Sequence, residues 1–318
     1  MAEIRIHGNA DKRRAADVPE FGPDFLKCAF STVRTIKVGS GSTARKQETR
    51  HLWLVEHRGD DTFGVRKLNT QFVPVGEESV VDRETLLAEY APEVDIYNSR
   101  VKPAVAALDK TLDTADGHRE RHEPLSAEME YTRALDVDER NVRATFGLGL
   151  VYLERDDVGK SRVIFDELVG MDAAFENRHK HLFNEFGISL RKKRLFDEAV
   201  QYYSRALEIN GDLNGEDENL YYNLARAYYE NGEWKPCVEF AGRALGVDRG
   251  HEHARVLCQL AVALAEKPDL LPRYDKPSVP AETAARAAEL LGADDKDRRS
   301  LAEAAETPGG DIDLSLGL

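Results

Sequence analysis

RLFDEAVQYYSRALEIN, residues 194–210, places small, aromatic and leucine side chains at the spacing by which one helix packs back onto its predecessor. Comparable segments are AEMEYTRALDVD from Ala127, SRVIFDELVGMD from Ser161 and CVEFAGRALGVD from Cys237, and successive units begin again after 34 to 38 residues. Self-similarity at such a period predicts stacked helical pairs rather than one closed core.

Residues 251–266, HEHARVLCQLAVALAE, read as a closing helix. Upstream, Val101, Val105, Leu108 and Leu112 recur at helical spacing, with the regular helix expected to start near Pro103. The connection DTADGHRERHEP that follows is polar and reads as a long link. After residue 266 come a proline-rich linker, PDLLPRYDKPSVP, Ala- and Glu-rich stretches of helical propensity at 281–292 and 297–306, and a tail ending TPGGDIDLSLGL, expected to fray.

The front of the chain has a different character. Residues 1–24 mix charge, Gly, Ala and Pro without periodicity and read as a flexible arm. VRTIKV (33–38), HLWLVEH (51–57) and FGVRKL (63–68) favour strands, with RGDDT (58–62) as the turn of a hairpin. Asp82 then opens a short helix that stops before Pro92. The expected domains are therefore an arm (1–24), a small β-containing module (25–95), a helical array (97–266), and a linker with a partly helical or disordered tail (267–318).

At 318 residues the chain is long enough for about two domains. The net charge of −14 is uneven, since residues 1–70 hold 13 Lys or Arg against 9 Asp or Glu and the acidity lies beyond them. Such an array should repel nucleic acid and anionic lipid. Cys28, Cys237 and Cys258 form neither a Cys-x-x-Cys motif nor an even disulfide set, which fits a reducing cytoplasm. No run approaches the ~18 apolar residues of a membrane span, and no signal-peptide pattern opens the chain.

The array resembles the tetratricopeptide repeat (TPR) family over about residues 97–266. The family's Leu-Gly-x-x-Tyr pattern stands as Leu148, Gly149 and Tyr152, then as Phe186, Gly187 and Leu190, then as Leu224, Ala225 and Tyr228. Its second-helix pattern of a small residue followed four later by an aromatic stands as Ala127 and Tyr131, Ser161 and Phe165, Ala199 and Tyr203. Departures are Ala241 in place of an aromatic, and Glu139, Ala173, Gly211 and Arg249 where a repeat-closing proline is usual. The resemblance implies a mainly α fold, a helical-hairpin superhelix, to which a small N-terminal α+β module with a β-hairpin is joined.

The resemblance also implies that one face of each first helix lines a concave groove. Its candidate partner-binding residues are Arg143 and Phe146, with Leu150 and Leu153; His181, Asn184 and Arg191, with Ile188; and Asn219, Tyr222, Arg226 and Tyr229. Spacings of three and four keep each set on one helical side. Amides can bond a ligand backbone, arginines can grip carboxylates, and tyrosines offer contact area at low entropic cost. Phe146 and Leu150 stand where a carboxylate-clamping member would need Lys and Asn, so a segment with an acidic residue for Arg226 is the expected ligand.

Other constellations point less far. His118 and His122 are four apart in a polar link, without the cysteines of a structural zinc site. GSGSTARKQ (39–47) lacks the Gly-Lys-Ser/Thr ending of a phosphate loop and reads as a hairpin loop. No nucleophile, base and oxyanion grouping emerges, and no cofactor motif. The expected function is a non-enzymatic, cytoplasmic adaptor that holds a protein or peptide partner. The alternatives are a chaperone for an export or assembly client, and a regulator whose basic front (Lys12, Arg13, Arg14, Arg45, Lys46, Arg66, Lys67) touches nucleic acid or nucleotide.

Overall fold

The computed structural model describes residues 27–38, 45–210 and 217–292. The expected arm, the glycine-serine loop at 39–44, positions 211–216 of the acidic link and everything from 293 lie outside the described residues. The chain forms two compact units, Met1–Val151 and Tyr152–Leu318.

The first unit holds an antiparallel sheet of five strands: β1 (Lys27–Val38), β2 (Arg45–Gly59), β3 (Thr62–Leu68), β4 (Pro74–Asp82) and the two-residue β5 (Ala91–Pro92), in the order β4-β3-β2-β1-β5. The expected turn joins β2 to β3 through Asp60 and Asp61, at φ 47° and 58°. Left-handed backbone at both central positions matches the twist of the flanking strands. Strand β4 was not foreseen, because its residues are mostly exposed and do not alternate. It is an edge strand, held by backbone pairing to β3.

Alternation along β1 sends neighbouring residues to opposite faces. Cys28 and Phe30 join Val55, Phe63 and Val65 with Leu86 of α1 (Arg83–Glu89), while Ala29 joins Leu54, Leu68 and Val101 on the other side. Asp82 caps α1 by accepting from the Thr85 N–H at 2.8 Å. Helical residues cover the second face. α2 (Val94–Ile96), a π-turn over Tyr97–Val101 and α3 (Lys102–Glu120) form one continuous run. The regular α-helix thus starts beside Pro103, as expected, and the π-turn and short helix before it lead into that start.

The polar stretch read as a long link is also helical as far as Glu120. Ala115 is fully buried there, and Asp113 and Asp116 have partners on a later helix, so a polar sequence is held by tertiary contacts. α4 (Pro124–Val137) folds back on α3. α5 (Val142–Glu154) follows, and Gly147 lies against the ring of Tyr131, where a Cβ would come 2.1 Å from the ring.

In the second unit, α6 (Val158–Val169) leads through two short 3-10 turns to α7 (Lys180–Lys192) and α8 (Phe196–Asn210). Tyr202 of α8 is the hub of an aromatic cluster with Phe165, Phe175, Phe183, Phe186 and Tyr203. Gly187 of α7 meets Tyr203, the aromatic that the repeat pattern pairs with it. α9 (Glu218–Glu230) and α10 (Trp234–Val247) form the next hairpin, followed by α11 (Glu252–Glu266).

α11 does not close the stack. After α12 (Leu271–Tyr274), α13 (Ala281–Leu291) packs against both α10 and α11 and buries Ala287 and Leu291 in their shared core. Gly242 permits that approach, since a Cβ there would meet Leu290 at 2.9 Å.

Candidate functional site

The expected partner-binding residues fall in both units. In the first, Arg143 of α5 is committed within the fold: its guanidinium donates to Asp113 at 2.7 Å and to Asp116 at 2.9 Å. Asp116 also accepts from the Tyr131 hydroxyl. Such charge-assisted bonds tie α5 to α3 and α4. Phe146 is fully buried and Leu150 is buried too, as is Leu153 at the start of the second unit. In this conformation Arg143 and Phe146 are packing residues, against the expectation that they line an open groove.

In the second unit, α7 presents His181 exposed and Asn184, Ile188 and Arg191 half-buried along one side. From α9, Asn219 is exposed, whereas Tyr222 and Tyr229 are buried at 6% and 5% exposure. The Tyr222 ring lies beside His251 and His253 at the start of α11, with centroids 5.0 and 5.5 Å away. Tyr229 packs edge-on to Trp234.

Arg226 departs from its expected role. Its guanidinium donates to Glu230 one turn later at 2.8 Å, and its side chain is only 12% exposed. Burial alone would lower the Arg226 pKa; the Glu230 carboxylate and the Tyr222 hydroxyl raise it instead. Its carboxylate partner is thus supplied by the chain itself.

Arg191 is different. Its Nε is buried without a hydrogen-bond partner, and no described carboxylate pairs with its guanidinium. It stands beside Tyr203, whose phenol burial pushes up to about 12 while the arginine pulls it down. Tyr203 in turn senses Tyr222, and Tyr222 touches Arg226, so Arg191, Tyr203, Tyr222 and Arg226 form one strip across α7, α8 and α9. Along it, the Arg191 guanidinium meets the Tyr203 phenol and pairs with no carboxylate among the described residues.

Elsewhere the structure pairs what the sequence left open. His118 Nδ1 is 2.5 Å from Glu123, with Arg121 alongside. Among the described residues no cluster of three or more His, Cys, Asp or Glu could hold a metal ion, and no helix is long and apolar enough to cross a membrane. Of the basic front, Arg66 lies within 4 Å of Glu56 and Glu78, and Lys27 pairs with Glu56 at 2.6 Å. Lys12, Arg13 and Arg14 lie outside the described residues, as do the side chains of Arg45 and Lys46.

Residues 181–213 match the tetratricopeptide repeat family model, a stretch running from α7 through α8. Hsp70-Hsp90 organizing protein 1 of Arabidopsis thaliana is 35% identical over 105 residues, 32% of this chain and 17% of that protein. Hsp70-Hsp90 organizing protein of Triticum aestivum is 35% identical over 94 residues, 30% of this chain and 15% of that protein. The matched part thus spans less than a fifth of either relative. Similar solved structures include PilF of Pseudomonas aeruginosa (TM-score 0.39, 17% identity, covering 63% of this chain and 89% of that one). Another is YrrB, a TPR protein with an unusual peptide-binding site (TM-score 0.37, 19% identity, covering 61% and 90%).

Proposed function

We propose, from the premise that the helical region is built of tetratricopeptide repeats, that this protein is a non-enzymatic adaptor holding a segment of a partner protein on the α7–α9 face. The observation that carries this reading is Arg191: a half-buried guanidinium that stands beside the Tyr203 phenol and pairs with no carboxylate among the described residues. A guanidinium pairs bidentately with a carboxylate, so a ligand acid can take up its remaining exposed donors. Asn184 and His181 continue the same side of α7 and offer hydrogen bonds to a ligand backbone. The acid-gripping role expected of Arg226 passes to Arg191, because Glu230 already satisfies Arg226.

A co-chaperone role is the second reading, and the segment shared with two Hsp70-Hsp90 organizing proteins supports it. The two readings separate by client: an adaptor retains a folded partner, whereas a chaperone suppresses the aggregation of an unfolded one.

The test is affinity capture with the full chain and with its Arg191→Glu variant. A partner retained by the first and lost by the second, at equal melting temperature, supports the reading. Equal retention of every partner by both chains removes it.

A further inference from the structure

The segment between α11 and α13 crosses the C-terminal end of α9 and the start of α10. α12 ends at Tyr274, and Asp275 takes a left-handed conformation at φ 51°. That turn delivers Lys276 to α9, where its ammonium donates to the backbone carbonyl of Glu230 at 2.9 Å and stands 4.8 Å from the centre of the Tyr229 ring. The Trp234 indole N–H donates to the carbonyl oxygen of Pro277 at 2.9 Å. Gly232, at φ 80°, makes room for the proline ring, since a Cβ there would come 3.2 Å from Pro277 Cδ.

Each of these features reads one part of a lysine-proline dipeptide. A helix C-terminus presents unpaired carbonyls and negative potential to a cation. An aromatic face adds a cation–π attraction. The indole donor takes the proline carbonyl, and proline has no N–H that would need an acceptor. Glu230 also neutralises Arg226, which leaves the end of α9 suited to a cation rather than to an acid.

Arg273, Asp275, Pro277 and Ser278 are exposed, while Leu270, Leu271, Tyr274 and Val279, each partly buried, pack against the core on either side of the dipeptide.

We infer that the end of α9 with Trp234 is a subsite for a lysine-proline segment, that the chain's own Lys276-Pro277 is its resident occupant, and that a partner presenting an exposed Lys-Pro in an extended stretch displaces it. The inference rests on the reading of the α9 face as a partner surface and adds the chemistry of one end of it. Access to that end is set by competition between a tethered and an untethered copy of the same dipeptide.

The experiment uses the full chain carrying Trp53→Phe, so that Trp234 is the remaining indole, and a labelled synthetic peptide of residues 270–279, LLPRYDKPSV. Lys276→Ala with Pro277→Ala is expected to shift Trp234 emission to the red and to raise peptide affinity about tenfold or more over the parent chain, by removing the competitor. Saturating peptide should restore the parent emission, and a peptide with alanine at both positions should not bind. Should the double variant fail to fold, Lys276→Met alone tests the lysine half of the subsite, with a smaller gain in peptide affinity expected and no gain overturning it.

A red-shifted variant that binds the peptide no better than the parent overturns the inference, as does equal binding of the alanine peptide. Either result alongside intact Arg191-dependent capture rejects the subsite and leaves the adaptor reading standing; peptide binding without Arg191-dependent capture does the reverse.

Discussion

Gly187 of α7 lies under the phenol of Tyr203 in α8 so closely that a Cβ at position 187 would stand 2.4 Å from the tyrosine oxygen. The contact fixes how near the two helices of this hairpin come, and Tyr203 is fully buried with no space to retreat.

Gly187→Ala should therefore destabilise the chain by about 1 to 3 kcal/mol, the usual cost of overpacking a filled core. Gly246→Ala in α10, where nothing lies within 4 Å of the new methyl, should be neutral or stabilising by up to about 1 kcal/mol. Denaturant midpoints of the two variants check both signs; equal midpoints would mean that the α7–α8 packing is wrong.

Arg226 and Glu230 should behave as a coupled pair. Arg226→Met leaves a partly buried carboxylate without its donor and should cost about 1 to 3 kcal/mol. Arg226→Glu should cost more, by placing two acids one turn apart. Adding Glu230→Arg to it should recover a large part of that loss, and strictly additive single-mutant effects in the cycle would remove the pairing.

His179 gives the stability a pH dependence of defined sign. Burial, with help from Arg178 and His181, lowers its pKa from 6.5 to about 4. The folded chain therefore binds this proton more weakly than the unfolded chain. The stabilisation from a neutral His179 is fully present above about pH 6.5 and is lost as pH falls toward about 4. His251, also lowered by burial, adds in the same direction. Denaturation at pH 7 and pH 5 should show the drop, and His179→Gln should shrink it; an unchanged drop would assign it to other groups.

The helical pairs were legible in the sequence because close packing leaves a fixed residue pattern, as at Ala199 and Tyr203. Tyr202 was not legible as the aromatic hub. Beside Tyr203 it looks equivalent, and its neighbours Phe165, Phe175, Phe183 and Phe186 reach it from separate elements. Strand β4 was missed because backbone pairing at an edge needs no apolar alternation.

At the site, the pairing of Arg226 with Glu230 did have a sequence signal, a charge and its opposite four residues apart on one helix. Arg191 had no comparable signal, because its place beside Tyr203 depends on the packing of α7 against α8. Lys276 had no local signal at all. A proline-rich composition says linker, and only tertiary contact shows that two of its residues are gripped.

The π-turn at Tyr97–Val101 carries one residue more per turn than the helix around it. Ile96 and Val101 face the sheet, while Leu108, Leu112 and Ala115 are buried farther along the same rod, on the helix that meets α4. The extra residue resets the phase between those two apolar stripes. Deleting any single residue there would rotate one stripe against the other by about 100°, so the sheet and the first hairpin could no longer both dock on the same rod.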